Sequence, residues 1–274
     1  MSSVVLIGLG NMGRKYLSKF TELGLKPTLC DLNERLRDEF KNYNFYCFYT
    51  DIGEIPEKVF AVVNPEHHPS IAEHFLSKGS YVFLEKPPAL SSEEFKLLVE
   101  KFGTEKLGVS EIERYSYAVR GLKDLKPLRL TIRRLNPRKG YINPFWDIGW
   151  HDFYLLLYLF GDFEITEVEQ LGKYHYRASG FLKNGVPFEY QLAWEYSGPV
   201  RRDWEIETPE GLLTLDFLNE RRLLNGEVVS ERNKGDKLLE MVQDVLNDSY
   251  DTASAERALK ILEKLEEIKG KFGI

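Results

Sequence analysis

Val4-Val5-Leu6-Ile7-Gly8-Leu9-Gly10-Asn11-Met12-Gly13 is the stretch that decides the fold. Four consecutive apolar residues without alternation describe a strand buried on both faces, the kind found in parallel sheets. Gly8, Gly10 and Gly13 then read G-x-G-x-x-G. From Met12 to Leu23 apolar residues recur at helical spacing until Gly24 closes the helix. Between a strand and a helix each glycine has a reason. Gly8 permits the tight turn, Gly10 lets a pyrophosphate approach the backbone, and Gly13 allows close helix–strand packing. The helix start offers free N–H groups and the positive end of its dipole to phosphate oxygens. Gly8, Gly10, Asn11, Met12 and Gly13 are therefore candidate dinucleotide contacts. An acid is expected about 20 residues further on, and Asp31 stands there, placed to accept hydrogen bonds from ribose hydroxyls. Its charge opposes a 2′-phosphate, so NAD is expected in preference to NADP.

Outward from this stretch, short apolar runs alternate with amphipathic segments, the grammar of repeated strand–helix–strand units. Strands are expected at Thr28–Asp31, Phe45–Tyr49, Lys58–Val63, Tyr81–Leu84 and Lys106–Ser110. Helices are expected at Asn33–Phe40, Ser70–Ser77 and from Ser91, an N-cap, to about Phe102. After Ile112 the strands lengthen and alternate. Phe188, Tyr190, Leu192, Trp194 and Tyr196 share one face of a strand, and Glu189, Gln191 and Glu195 the other. Asn184-Gly185 and Asn225-Gly226 read as hairpin turns with positive φ at both central residues. The expected organisation is an α/β Rossmann domain over 1–112. An α+β domain over 113–274 follows, with an open, mostly antiparallel sheet of six strands between Leu128 and Val229. One helix interrupts that sheet at Ile148–Phe160, and helices at Leu238–Leu246 and Ala253–Ile268 end the chain.

Composition narrows the function classes. At 43% apolar and 29% charged, the 274 residues suit a soluble globular protein of two domains, taking roughly 150 residues each. A net charge of −6 argues against a nucleic-acid partner. The longest apolar run, Phe153 to Phe160, falls short of the ~20 residues that span a bilayer, and Met1-Ser2-Ser3 has no basic lead of a signal segment. A cytoplasmic protein without a membrane partner is the expectation. Cys30 and Cys47 form neither a disulfide framework nor a C-x-x-C knuckle, and His67, His68 and His74 lack a completing acid or thiol, so no metal is expected.

Glu85-Lys86-Pro87 ends the fifth strand at its carboxyl edge, where open parallel sheets place ligands. There it resembles the most specific motif of the Gfo/Idh/MocA family, the glucose–fructose oxidoreductase and inositol dehydrogenase family. Asn64-Pro65-Glu66-His67-His68 looks like that family's loop after the fourth strand, and Arg114-Tyr115-Ser116-Tyr117-Ala118-Val119 is similar to the opening of its domain-crossing helix. Asp147-Ile148-Gly149-Trp150-His151 matches its Asp-x-Gly-x-His motif, which sets an acid and an imidazole one helical turn apart. Where the family usually has a second Asp three residues after the histidine, this chain has Tyr154. The resemblance implies that Asn64, Pro65, His68, Glu85 and Lys86 lie on the nicotinamide side of the cofactor, and that Lys86, Asp147 and His151 carry the chemistry.

The activity implied is hydride transfer between NAD(P) and a hydroxyl or ketone carbon of a sugar, cyclitol or derivative. His151, with an ordinary pKa near ~6.5, is expected as general base supported by Asp147. Lys86 would hydrogen-bond the reacting oxygen and stabilise a developing alkoxide; the division of labour between Lys86 and His151 stays open. Trp146, Trp150 and Tyr154 are candidate substrate contacts. So is Arg138, from a basic stretch of Lys126, Arg129, Arg133, Arg134, Arg138 and Lys139 that suggests an anionic substrate. The alternative is a non-catalytic dinucleotide-binding redox or metabolite sensor. Self-association through the second sheet is a further expectation.

Overall fold

The computed structural model describes residues 3–122, 124–140 and 142–274. The chain divides into two compact units: one runs to Ser110 and takes up Leu238–Leu262, the other comprises Glu111–Lys237 and Glu263–Ile274. The border falls at Ser110, two residues before the sequence-based one. The segment Leu238–Leu262, assigned by sequence to the second domain, packs within the first.

The first unit runs β1 (Val4–Ile7), α1 (Asn11–Glu22), β2 (Thr28–Cys30), α2 (Leu36–Glu39), β3 (Phe45–Tyr46), β4 (Lys58–Ala61), α3 (His68–Leu76), β5 (Tyr81–Leu84), α4 (Ser92–Phe102) and β6 (Leu107–Val109). The six strands pair in parallel in the order β3-β2-β1-β4-β5-β6. Strand order reverses between β1 and β4, and a ligand crevice belongs at their carboxyl ends. The buried face of α1, Gly13, Tyr16, Leu17 and Phe20, lies against an aromatic cluster of Phe60 and Phe83. Ser91 caps α4 through its hydroxyl, which accepts the Glu94 N–H at 3.2 Å. The expected helix over 33–40 shrinks to the single turn of α2, which buries none of its residues.

The second unit opens with a short 3₁₀ turn, Ile112–Tyr115, followed by turns rather than by the helix that the resemblance implied. Ser116 is already extended and Gly121 has φ +72°, so the helix does not propagate. Then come β7 (Arg129–Leu135), α5 (Pro144–Asp147), α6 (Gly149–Phe160), β8 (Phe163–Gly172), β9 (His175–Leu182), β10 (Pro187–Ala193), β11 (Arg201–Thr208), β12 (Gly211–Asp216), β13 (Arg221–Leu224) and β14 (Glu227–Glu231). They form one open sheet, β14-β13-β12-β11-β7-β10-β9-β8, antiparallel except for the β7–β10 pair. Among the described residues eight strands replace the expected six. β8 and β14 are the two edges, and β14 buries no residue, so their apolar alternation is weak. Helices α7 (Lys237–Leu246) and α8 (Ser254–Phe272) end the chain.

Two local expectations change. Asn225-Gly226 has positive φ at both residues, as a type I′ turn requires, but at Asn184-Gly185 only Gly185 does. There the Gly185 N–H reaches Leu182 O, giving a turn centred on Lys183 and Asn184 with glycine in the bulge position. The face of Phe188, Tyr190 and Leu192 is buried as expected, yet β10 stops at Ala193, and Glu195 takes φ +54°, so Trp194 and Tyr196 do not continue it.

Candidate functional site

In the first unit a cleft of about 840 Å³ opens at the carboxyl ends of β1 and β4. It is lined by Gly8, Gly10, Asn11, Met12, Asp31, Asn64, Glu85 and Lys86, eight of the residues singled out from sequence, together with His67, Ser70 and Thr50. Another concavity, about 400 Å³, lies at the opposite sheet edge among Val4, Pro27, Thr28 and Pro56, away from every motif.

The glycine loop is built for close approach. Gly8 has φ +92°, and a Cβ there would sit 2.2 Å from the Val62 carbonyl oxygen. A Cβ on Gly13 would lie 1.9 Å from the Gly8 oxygen, so Gly13 packs α1 onto the loop and does not itself line the cleft. A Cβ on Gly10 would meet nothing within 4 Å. Open space therefore stands over the start of α1, whose first turn carries no acid and whose Gly10 cap offers no side-chain oxygen to compete for the free N–H groups. Asp31 is fixed from two sides: Oδ2 accepts the Leu9 N–H at 2.7 Å and Oδ1 the Asn33 N–H at 2.8 Å. An uncrowded helix start and an anchored carboxylate fit a dinucleotide.

At the end of β5, Glu85 accepts hydrogen bonds from the buried Tyr16 hydroxyl and from the Lys86 N–H, at 3.1 Å. Lys86 is half-buried on the cleft wall. His68, expected on the nicotinamide side, instead exposes no surface and lies 2.8 Å, through Nδ1, from the Pro87 carbonyl oxygen. Burial pushes its pKa down to about 4, so it is neutral and donates to that carbonyl. Pro65 also lies off the cleft; it opens the 3₁₀ turn whose last residue, His67, reaches the wall. The signal was present: His68, Ile71, Ala72 and Phe75 follow helical spacing and are all buried, which assigns His68 to the packed face of α3.

In the second unit Asp147 ends α5, and Ile148, still in helical conformation, connects it to α6, which carries His151 in its first turn. Asp147, His151 and Trp146 are half-buried. Trp150 and Tyr154, expected as substrate contacts, expose no surface, because α6 buries nearly its whole circumference. Tyr154 instead holds His151, its hydroxyl lying 3.1 Å from Nδ1.

Behind them the carboxylate of Asp152 receives four hydrogen bonds: Arg134 Nε and Nη2 at 2.6 and 2.9 Å, the Tyr190 hydroxyl at 2.7 Å and Trp204 Nε1 at 2.9 Å. Burial opposes charge on Arg134, but Asp152 outweighs it and holds the guanidinium above its ordinary pKa. Burial likewise opposes ionisation of Glu113, and Lys237 and Arg134 more than reverse it. This buried cluster fixes α6 on the sheet. Among the other basic residues, Arg129 pairs with Glu189 and Arg133 with Asp203 and Glu205. Arg138 is exposed and, among the described residues, not part of an ion pair. Sequence reading missed Arg202, the cross-strand neighbour of Arg134, half-buried and, among the described residues, likewise without an acid in salt-bridge range. Burial and then Arg134 push its pKa down.

Among the described residues no group of three or more His, Cys, Asp or Glu could hold a metal ion, and no helix is long and apolar enough to cross a membrane.

Residues 2–111 match the family described as the oxidoreductase family with an NAD-binding Rossmann fold, GFO_IDH_MocA. Across the chain the fold is similar to that of UDP-N-acetylglucosamine 3-dehydrogenase GnnA from Acidithiobacillus ferrooxidans, at 22% identity, TM-score 0.79 and 96% of each chain covered. It is also similar to the WlbA dehydrogenase of Bordetella pertussis, solved with NADH and UDP-GlcNAcA, at 15% identity and TM-score 0.76, covering 100% of this chain and 97% of that one. For myo-inositol 2-dehydrogenase from Lactobacillus plantarum the values are 16% and 0.77, with 98% and 97% covered. No curated protein matches by sequence. The match covers the dinucleotide-binding unit, and over those residues the chain is similar to the Gfo/Idh/MocA oxidoreductase family.

Proposed function

We propose that this protein is an NAD-dependent dehydrogenase acting on a CH–OH group of a sugar or sugar derivative. The observation that carries the reading is the cleft of the first unit. One wall joins an uncrowded helix start, an anchored Asp31 and Lys86, so a group able to hold a proton lies in the same crevice as the dinucleotide contacts. NAD, when bound, supplies the hydride acceptor. Gly10, Asn11 and the first N–H groups of α1 would hold its phosphates, Asp31 its ribose hydroxyls, and Asn64 and Glu85 would line the way to Lys86. Lys86 would take or return the hydroxyl proton and stabilise the developing alkoxide, and Asp147 and His151 would be the second unit's polar contacts to substrate. A sensor without turnover would have no chemical use for Lys86, Asp147 and His151 together.

The finer reading is an anionic substrate, such as a sugar nucleotide. Arg138 and Arg202 support it, two guanidinium groups without ion pairs among the described residues in a protein of net charge −6. So do the nucleotide sugars named for two of the similar proteins. The test is turnover of a panel of neutral, carboxylated, phosphorylated and nucleotide-linked sugars with NAD. Lys86→Ala should lose about 100-fold or more in kcat while NAD affinity stays near that of the parent. Absence of NAD reduction across the panel, or a Lys86→Ala protein with normal kcat, refutes the dehydrogenase reading. Turnover of neutral sugars alone, with KM unmoved in Arg138→Ala and Arg202→Gln, refutes the anionic substrate.

A further inference from the structure

Tyr154 stands where a carboxylate would make His151 a conventional base. An Asp side chain beside Nδ1 accepts the Nδ1–H and leaves the Nε2 lone pair to take a proton. A phenol can do the reverse, and the surroundings of Tyr154 decide which it does. Its side chain exposes no surface. Among the described residues its hydroxyl meets two polar groups, the backbone N–H of Glu113 at 2.7 Å and Nδ1 of His151 at 3.1 Å. The amide can only donate, so it occupies an oxygen lone pair. The hydroxyl proton stays on the phenol: burial first, and the negative charge of Glu113 second, raise the pKa of Tyr154 well above its ordinary value. A buried O–H needs an acceptor. Nδ1 is the acceptor within reach.

We propose that Tyr154 donates its hydroxyl proton to Nδ1 of His151 and so fixes the neutral imidazole in the tautomer protonated at Nε2. Tyr154 is thus a positioning residue, and what His151 offers the substrate is an N–H donor rather than a lone pair. The consequence for the reaction rests on the dehydrogenase reading above. A lone pair taken up in this way leaves removal of the hydroxyl proton to a group other than Nδ1 or Nε2 of the neutral imidazole, and in that reading Lys86 would be the group. NAD, when bound, would supply the hydride acceptor, and His151 would offer a substrate oxygen its Nε2–H. The roles of Lys86 and His151 are thereby divided: base and oxygen-binding donor.

The test is ¹⁵N NMR of the histidine-labelled protein without substrate, with the His151 signals assigned by their loss in His151→Gln. Above the titration of the imidazole, the nitrogen shifts should show the proton on Nε2; a proton on Nδ1 overturns the proposal. This measurement needs no turnover, so it stands or falls separately from the dehydrogenase reading. In Tyr154→Phe the preference for Nε2–H should be lost, and kcat should fall about tenfold with KM little changed, a difference of about 1.4 kcal/mol. A folded Tyr154→Phe protein with the same tautomer and the same kcat makes the phenol merely structural and also overturns it. If that variant does not fold, because the Glu113 N–H loses its acceptor, the spectrum of the parent decides alone.

Discussion

Oδ2 of Asp31 accepts the backbone N–H of Leu9 at 2.7 Å, so the end of β2 and the glycine loop after β1 are tied together by a single carboxylate. The bond does two things. It fixes the Asp31 carboxylate beside the loop, and it leaves the remaining lone pairs for donors in the cleft. Two adjacent ribose hydroxyls suit such an acceptor, and a 2′-phosphate does not. Arg35, the neighbouring cation that could compensate, is exposed and does not line the cleft. Calorimetric titration should therefore give NAD at least about tenfold tighter binding than NADP, some 1.4 kcal/mol. Equal affinities would show that Asp31 does not face the ribose.

Glycines Gly10 and Gly13 should respond in opposite ways to the same methyl group. Gly10 has φ −69°, and a Cβ there meets nothing within 4 Å, so Gly10→Ala should unfold at the parent's temperature or slightly above it. Its methyl stands where a pyrophosphate approaches, so NAD affinity should drop by about tenfold or more. Gly13→Ala drives a Cβ to 1.9 Å from backbone oxygen, which must be relieved by moving α1 or the loop. It should destabilise by about 1–3 kcal/mol. Thermal melts and NAD titrations of both variants read the contrast, and a Gly10→Ala protein that binds NAD normally would remove the loop from the phosphate site.

How much of this was legible depended on whether a residue's neighbours are near in sequence. The Val4–Gly13 stretch announces the parallel sheet because strand, turn and helix all fall within one window. Asp31 follows at the next strand's end. His68 was misplaced as a cofactor contact although its packing is local, because motif likeness was weighed above the spacing it shares with Ile71, Ala72 and Phe75. Arg202 was invisible for a different reason. Its place beside Arg134 comes from the β7–β11 register, which joins residues far apart in the chain. The parallel β7–β10 pair and the return of Leu238–Leu262 to the first unit are likewise long-range outcomes. There Tyr250 donates to Val109 O at 2.6 Å and Ser254 accepts the Val109 N–H at 3.2 Å. Nothing in the local pattern of 238–262 encodes β6 as its partner.

Burial of His68 makes stability depend on acid. Its folded pKa, pushed down to about 4 chiefly by burial, lies below the unfolded value of about 6.5. The unfolded chain thus binds a proton between these limits that the folded protein refuses. Stability from this group is complete above pH 6.5 and is lost as pH falls toward 4, at about 1.4 kcal/mol per pH unit and about 3 kcal/mol in all. Urea unfolding at a series of pH values should show this slope in the parent and its reduction in His68→Gln. Since His68 donates to the Pro87 carbonyl, the variant should also weaken turnover through Lys86, its neighbour in the loop. Parallel stability curves would mean that His68 is charged in the folded state.

The strongest stability effect should come from Asp152, which is not a substrate contact at all. Its removal strands three buried donors at once: the Arg134 guanidinium, the Tyr190 hydroxyl and the Trp204 indole N–H. Glu113, 3.7 Å from Arg134, offers only partial replacement, being already engaged by Lys237 at 2.7 Å. An uncompensated buried cation is the case in which breaking an ion pair costs most, so Asp152→Ala should lose about 3–5 kcal/mol. Asp152→Asn keeps one acceptor oxygen and should fall between. Replacing both partners, Arg134→Met with Asp152→Leu, removes the stranded charge and should recover much of the loss, because a buried pair gains little over apolar residues of similar volume. The double-mutant cycle, read by chemical denaturation, separates the two explanations: additive losses would mean that Arg134 and Asp152 stabilise the sheet independently, whereas a large favourable coupling places the ion pair itself between β7 and α6 as the anchor of the helix that carries His151.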